Sequence, residues 1–163
     1  MANNAPANIN TGTQDRKVAV LVADGFDGPE VEALQTALRA AGARAELLAP
    51  RVGPVKSSQG ETLDAGSIHH SEGSVFDAIY LAGGEESIKI LMGHPDANRF
   101  VQEAYAQGKP LGLGAGAEPL YAAACPMSQP GTPGVVEGPE RLVEAMAVSR
   151  YQDRPMKLKP EED

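Results

Sequence analysis

The chain has 163 residues, of which 42% are hydrophobic, and its formal charge at pH 7 is −8. That length fits one compact domain, and the apolar share is large enough to form a core, so wholesale disorder is not expected. The negative charge argues against broad binding to nucleic acid or to an anionic membrane, because the summed field would repel phosphate.

Both ends of the chain are predicted to lie outside one folded domain, which we place at 16–152. Residues 1–15 are rich in Asn, Ala and Thr and lack the basic and apolar regions of a signal peptide, so we interpret them as a disordered leader. Residues 153–163 are charged and contain prolines, which is typical of a tail. No apolar run approaches the roughly 20 residues that span a bilayer. These features favour a cytoplasmic protein without a membrane partner.

The first fifty residues predict a β-α-β unit. Residues 17–23 form a continuous apolar run, as in a strand buried on both faces of a parallel sheet. A helix is predicted from Pro29 to about residue 41, with Asp27 and Glu30 as a capping box. Residues 45–48 predict a second strand, parallel to the first through a right-handed crossover.

The remainder of the domain continues this alternation, which implies a parallel sheet covered by helices on both faces. In such a sheet, functional sites lie at the carboxyl ends of the strands. The further predicted elements are short antiparallel edge strands within 56–70, a strand over 76–82, helices from residues 85 and 95, a helix over 117–124, a strand at 135–136 and a helix from residue 139.

A glycine-rich bend at 112–117 is the most informative motif. A strained strand-to-helix bend holds the nucleophile in many hydrolytic α/β folds. Here the bend carries Ala115 between Gly114 and Gly116, and none of these residues has a nucleophilic side chain. The glycines also match the dinucleotide pattern G-x-G-x-x-[G/A], but they lie within the strand and lack the acidic residue that the pattern requires further on. A nucleotide site is therefore not favoured.

Two glutamates, Glu30 and Glu32, are the candidate acid–base residues because they lie in the first helical turn after the first strand. The structural alternative is that Glu30 caps the helix and Glu32 faces solvent, and without a nucleophile we favour it. The amides of Gly83-Gly84 precede a helix and resemble an anion site. The two glutamates at positions 85 and 86 would repel a phosphate there, so a tight turn is the better interpretation.

Cysteine and histidine offer no catalytic or metal centre at this stage. The single cysteine, Cys125, excludes an internal disulfide and follows an alanine-rich helix, where we expect a small core residue. His69, His70 and His94 do not have the spacing of metal ligands. We therefore predict no metal, no cofactor and no nucleophile–base pair.

Four motifs together resemble the class I glutamine-amidotransferase-like superfamily, in the branch of intracellular proteases and the parkinsonism-associated deglycase. They are the strand at 17–23, the helix start at 28–32, the turn at 81–84 and the Gly-Lys-Pro at 108–110. The last of these precedes the bend at 112–117, which we call the elbow. Segments 22–28, 49–55, 76–80 and 134–136 are similar to the C-terminal domain of large-subunit catalases, and the likeness runs over about 17–155. The resemblance implies a flavodoxin-like three-layer α/β sandwich with a mostly parallel sheet and a short antiparallel edge segment.

In active members of that superfamily a cysteine occupies the elbow and a glutamate of the first helix lies beside it. The resemblance puts the cysteine position at Ala115, the next position at Gly116, and the glutamate at Glu32 in preference to Glu30. The amides around Gly84 and Gly116 would border a vestigial oxyanion site. The expected vestigial pocket comprises Glu30, Glu32, Gly83, Gly84, Ala115 and Gly116.

These expectations favour a protein without catalytic activity, because covalent catalysis needs an activatable nucleophile. Such a protein would stabilise or associate with other chains, as a chaperone-like or oxidative-stress-linked partner, with itself or with a catalase as further partners. One alternative is a small hydrolase, glyoxalase or deglycase, and another is a small-molecule binding module that uses the vacant pocket. Catalase activity is not implied, since the resemblance does not extend to the haem-bearing domain of those enzymes.

Overall fold

The computed structural model describes residues 16–71, 75–128, 131–147 and 151. The predicted leader at 1–15 and tail at 153–163 lie outside these residues. The elements in chain order are β1 (Lys17–Leu21), α1 (Gly28–Ala40), β2 (Arg44–Ala49), β3 (Gly53–Lys56), β4 (Thr62–Ser67), β5 (Ala78–Leu81), α2 (Glu85–Met92), α3 (Pro95–Ala106), β6 (Leu111–Leu113), α4 (Glu118–Ala124), β7 (Val135–Glu137) and α5 (Pro139–Ala145).

The strands form one seven-stranded sheet in the order β3-β4-β2-β1-β5-β6-β7. Every neighbouring pair is parallel except β3 and β4, which form an antiparallel hairpin at one edge. Without that hairpin, the strand order is the 2-1-3-4-5 order of flavodoxin-like sheets. The predicted fold class and its antiparallel edge segment are both confirmed.

Alternate side chains of the central strand β1 enter two different cores. Val18 and Val20 pack in the core that includes α1 and α5, whereas Ala19 and Leu21 pack in the core that includes α2, α3 and α4. A strand covered on both faces needs apolar side chains on both, which explains its continuous apolar run. The result is three layers, helices on each side of the sheet.

The ends of several strands differ from the sequence prediction by one or two residues. β1 ends at Leu21, before the predicted end at residue 23, and the Ala23 amide donates to Oγ of Ser87 in α2 at 3.0 Å. β5 begins at Ala78, after the predicted start at residue 76, although Phe76 is buried. The apolar runs of the sequence are thus longer than the hydrogen-bonded strands, because the loops next to the strands are also buried. No helix in the described ranges is long and apolar enough to cross a membrane.

Candidate functional site at the elbow

Helix α1 begins at the carboxyl end of β1, and its first turn is held by Asp27. Asp27 is the N-cap: its Oδ1 accepts a hydrogen bond from the Glu30 amide at 3.2 Å, and Pro29 occupies the first turn, where a missing N–H costs nothing. The amide of Asp27 donates to the Gly83 carbonyl at 2.9 Å. The predicted capping box is therefore only half formed, and the Glu30 side chain is used elsewhere.

The Glu30 carboxylate joins two loops that follow different strands. Its Oε1 accepts from the amide of Gly83, just after β5, at 2.6 Å. Its Oε2 accepts from the amide of Ala115, just after β6, at 3.0 Å. Since α1 itself follows β1, one carboxylate connects the carboxyl ends of three neighbouring strands.

Two glycines make this approach possible because neither has a side chain in the way. A Cβ on Gly114 would lie 2.5 Å from the Gly83 nitrogen and 2.7 Å from Oε2 of Glu30. A Cβ on Gly83 would lie 2.5 Å from the Ala115 carbonyl oxygen. Real Cβ atoms do not approach polar atoms so closely, so both positions require glycine. We call the Glu30 carboxylate together with its two donors, the amides of Gly83 and Ala115, the Glu30 clamp.

The other two glycines of the predicted pocket serve the backbone path. Gly84 has φ +113° and lies against the loop before α1, where a Cβ would be 2.8 Å from the Cα of Phe26. Gly116 has φ +81°, but an added Cβ would meet no atom of the described residues within 4 Å. Gly84 is therefore required by close packing as well as by conformation, and Gly116 by conformation alone.

Tyr80 in β5 lies below the clamp and was not singled out from the sequence. It is fully buried, and among the described residues its hydroxyl has no hydrogen-bond partner, although the nearby Glu30 carboxylate affects its pKa. Burial is the main cause that raises the pKa of Tyr80, and the negative charge of Glu30 adds to it. The ring lies over Gly112 of β6, where a Cβ would be 2.6 Å from Cδ1. Gly112 thus makes room for the tyrosine.

Glu32 does not belong to this arrangement. It is exposed on α1, whereas Glu30 is half-buried at the elbow. Two residues along a helix correspond to a rotation of about 200°, so the two side chains point in nearly opposite directions. The preference for Glu32 as the elbow glutamate is therefore reversed in favour of Glu30.

Two predicted members of the pocket, Gly83 and Ala115, contact Glu30 directly. The amides of Gly83 and Ala115 converge on one carboxylate, as two backbone donors converge on a developing oxyanion in an acyl-transfer enzyme. Here both donors are occupied by a side chain of the protein itself. Ala115 contributes a methyl group, and this residue and Gly116 are exposed.

The cysteine and the histidines have structural positions. Cys125 is buried at the C-terminal end of α4, as predicted. His94 is the N-cap of α3, and its Nδ1 accepts from the Ala97 amide at 3.3 Å. His69 lies 2.9 Å from Asp96, and this hydrogen bond lowers the pKa of Asp96. Within the described residues, no three His, Cys, Asp or Glu side chains gather as a metal site would require.

Sequence reasoning missed two buried polar residues in this region, Ser87 and Tyr80. Ser87, fully buried in α2, accepts from the Ala23 amide and so fixes the loop after β1. Its only signal was its place on the buried side of α2, next to Ile88 and one turn before Leu91. Tyr80 lay within a predicted strand. The space for its ring is provided by Gly112, its neighbour on the adjacent strand β6, and this pairing could not be recognised without the strand register.

Comparison with known proteins gives a consistent assignment. The model of the C-terminal domain found in long catalases matches residues 14–155. Catalase HPII of Pseudomonas aeruginosa is 37% identical over 126 residues, which cover 77% of this chain and 17% of that protein. Catalase-1 of Neurospora crassa is 30% identical over 119 residues, covering 71% and 16%. The chain thus spans about a sixth of the length of the curated relatives it matches.

Solved structures agree on the fold. A ThiJ/PfpI domain protein from Brachyspira murdochii superposes with a TM-score of 0.68 at 13% identity, covering 82% of this chain and 95% of that one. Oxidized DJ-1 from Toxoplasma gondii gives a TM-score of 0.65 at 19% identity, covering 80% and 86%. At such low identity these two show the fold alone, that of the DJ-1/PfpI class of amidotransferase-like proteins. By the match along its own sequence, the chain belongs to the family of the C-terminal domain of long catalases.

Proposed function

We propose that this protein has no catalytic activity at its elbow and acts by stabilising or associating with other protein chains. The observation that carries the proposal is the use of the Glu30 carboxylate as an acceptor for the Gly83 and Ala115 amides. The same amides would otherwise be available to a developing oxyanion, and Ala115 supplies no nucleophile. A chaperone-like role linked to oxidative stress, in the cytoplasm, is part of the same proposal.

A catalase chain is the proposed partner class. The curated relatives are named catalases, and this chain corresponds to only a sixth of their length. In those relatives the matching segment is one part of a longer chain, so contact with the remaining parts is the interaction that we propose for this chain. The net charge of −8 would add salt dependence to any contact with a basic surface.

The test measures association and protection directly. The purified protein is mixed with a catalase polypeptide that lacks its own C-terminal domain, and complex formation is followed by size-exclusion chromatography. We expect a complex and a longer half-life of the catalase at elevated temperature, with less aggregation of a heated client protein. Absence of a complex together with unchanged aggregation would overturn the proposal. Ala115→Cys serves as the control, since a role independent of the elbow leaves association unchanged.

The enzyme alternative is tested on the same preparation. Peptides, esters and methylglyoxal are offered as substrates to the wild-type protein and to Glu30→Gln, Glu32→Gln and Cys125→Ser. We expect no turnover above the buffer background in any of them. Turnover that Glu30→Gln or Cys125→Ser abolishes, while Glu32→Gln preserves it, would replace the proposal with a hydrolase or deglycase.

An introduced thiol probes the chemistry that remains at the elbow. In Ala115→Cys, Glu30 lies one hydrogen bond away, and its negative charge disfavours the thiolate. We therefore expect slow alkylation by iodoacetamide at neutral pH, and faster alkylation when Glu30→Gln is added. Rapid reaction of the single variant, equal to that of the double variant, would show that the elbow still activates a nucleophile. The wild-type chain, with only the buried Cys125, gives the background.

A further inference from the structure

A cleft of about 450 Å³ lies between α4 and the edge strand β7, beside the elbow and separate from the Glu30 clamp. The register pairs Leu111 with Val135 and Leu113 with Glu137, so these β7 side chains project on the same side of the sheet as the β6 leucines, towards α4. Because β7 is the last strand of the sheet, that side of β7 forms a wall of the cleft. We call this space the β7 cleft.

One wall of the β7 cleft is apolar. Leu113 and Val135 come from the sheet, and Ala122 and Pro126 from α4 and the turn after it. A volume of several hundred Å³ with aliphatic walls is typical of sites for small organic ligands. The wall accommodates an alkyl group and discriminates against a fully hydrated ion.

A row of hydroxyls forms the second wall. Tyr121 and Ser128 are hydrogen-bonded to each other, and Ser128 Oγ lies 3.0 Å from Thr132 Oγ1. Tyr121 and Thr132 are each more than nine-tenths buried, with 9% and 8% of their surfaces exposed. A buried row of hydroxyls offers oriented dipoles that accommodate a polar ligand group.

The charge of the β7 cleft has a single sign. Glu118 at the start of α4 and Glu137 at the end of β7 both line it, and both are exposed. Among the described lining residues there is no Lys, Arg or His. Two carboxylates attract a positive ligand group and repel an anion when, as in the described part of this lining, no cationic side chain stands beside them.

We propose that the β7 cleft binds a small aliphatic ammonium compound. The alkyl part lies against Leu113 and Val135, the ammonium group is paired with the carboxylates of Glu118 and Glu137, and the hydroxyl row faces the polar end of the ligand. The three features (apolar wall, hydroxyl row and two acidic side chains) together select this chemistry over a neutral or anionic ligand of the same length. The inference is independent of the association proposed above.

The experiment compares three probes of one shape: n-butylammonium, 1-butanol and butyrate. Each is titrated into the ¹⁵N-labelled protein, and amide shifts are followed by NMR. We expect saturable shifts at residues 113–137 for n-butylammonium, weaker binding of 1-butanol and none of butyrate. Equal affinity for the ammonium and the alcohol, or shifts confined to other regions, would overturn the proposal.

Variants then test the carboxylates. Glu118→Gln/Glu137→Gln keeps the shape of two exposed side chains and is expected to weaken n-butylammonium binding by about fivefold or more. Glu32→Gln/Glu144→Gln removes the same number of exposed carboxylates from α1 and α5, on the opposite face of the sheet, and should leave the dissociation constant unchanged. An equal loss in both variants would reduce the effect to net charge and contradict a site at the cleft.

Discussion

Glu30 couples three parts of the chain through one side chain. Its two carboxylate oxygens accept from amides that lie 32 residues apart in sequence, and its own helix begins at a third strand. Hydrogen bonds to an ionised acceptor are stronger than those between neutral groups. The local stability of this end of the sheet should therefore depend on that carboxylate more than on its neighbours in α1.

Replacing the glutamate by its isosteric amide tests this dependence. In Glu30→Gln, one oxygen becomes an NH₂ group, which faces a backbone N–H and cannot accept from it. We expect the free energy of unfolding to fall by about 1–3 kcal/mol, since a partly buried donor loses its partner. Urea denaturation measures the loss.

The matched control lies two residues away. Glu32→Gln changes an exposed carboxylate in the same helical turn and should alter the free energy of unfolding by less than about 0.5 kcal/mol. Equal losses in Glu30→Gln and Glu32→Gln would mean that the effect comes from helix charge and not from the clamp.

Tyr80 gives a prediction of the opposite sign. Its buried hydroxyl has no hydrogen-bond partner among the described residues and lies near the Glu30 carboxylate. Removing an unpaired buried polar group is neutral or stabilising, because the cost of its desolvation disappears. Tyr80→Phe should therefore leave the midpoint of urea unfolding unchanged or raise it. A loss of 1 kcal/mol or more, on the order of a hydrogen bond, would show that the hydroxyl bonds to Glu30 in solution.

At the scale of single residues, the sequence identified the first turn of α1 but favoured Glu32, whereas Glu30 is the glutamate that lies at the elbow. Both glutamates occupy the first turn of a predicted helix, and a first turn alone does not tell which side faces the sheet. The buried stripe of Val31, Leu34 and Leu38 is predictable from helical spacing, and all three are buried. Glu30 lies at the edge of that stripe, where a polar residue is buried only if a partner exists on another strand. Such a partner is set by tertiary register.

The elbow is the element that the clamp holds. It connects β6 to α4 through Gly114, Ala115 and Gly116, and its geometry is tied to the β5 loop because Gly114 donates to the Leu81 carbonyl at 2.8 Å. The bend was predictable, since glycine clusters mark sharp turns. The reason for each glycine was not, because close approach and positive φ look alike in sequence.

A pair of alanine substitutions separates the two reasons. Gly116→Ala places a side chain in open space at φ +81°, which costs about 1–2 kcal/mol of backbone strain. Gly114→Ala drives a methyl into the Gly83 nitrogen and the Glu30 carboxylate, with an expected loss of about 3 kcal/mol or more. Urea unfolding of both variants gives the ranking.

A double-mutant cycle keeps this ranking interpretable even if Gly114→Ala unfolds. Adding Glu30→Ala removes the contacts with the carboxylate oxygens and leaves the contact with the Gly83 nitrogen, so the double variant should lose less stability than the sum of the two single changes. Strict additivity would place the strain of Gly114→Ala elsewhere in the elbow.

The order of the elements was accessible from sequence because the apolar runs and the turn residues alternate cleanly. Two facts were not accessible. The sequence predicted an antiparallel edge segment but not that it lies beside β2, where the bridge between Phe26 and Ser57 joins it to the loop after β1. The polar alignment of Tyr121 with Ser128 and Thr132 likewise depends on how the chain turns after α4.

On the scale of the whole molecule, the clamp joins the loops after β5 and β6 at the carboxyl end of the sheet, and we expect them to open cooperatively. Hydrogen exchange reports the free energy of local opening residue by residue. The loops that carry the Gly83 and Ala115 amides are also joined by the β5–β6 pairing and by the Gly114–Leu81 hydrogen bond, but these two amides share one acceptor, the Glu30 carboxylate. A variant without an acceptor at residue 30 should release both amides together.

In Glu30→Ala, therefore, exchange of the Gly83 and Ala115 amides should accelerate by about tenfold or more, as expected for the loss of about 1.4 kcal/mol of local protection. The Ile68 amide is the internal reference, because it donates to the Ala49 carbonyl next to β2 and β4, on the far side of β1 from the clamp. Exchange rates of all three amides are first corrected for any change in global stability. In Glu30→Gln, which retains one oxygen, only one of the two amides should lose protection. Two outcomes would contradict this expectation: neither amide exchanges faster in Glu30→Ala, or the Ile68 amide accelerates to the same degree. Either would mean that the loops after β5 and β6 are held in place without the Glu30 carboxylate. Glu30 would then be a consequence of the fold and not one of its constraints.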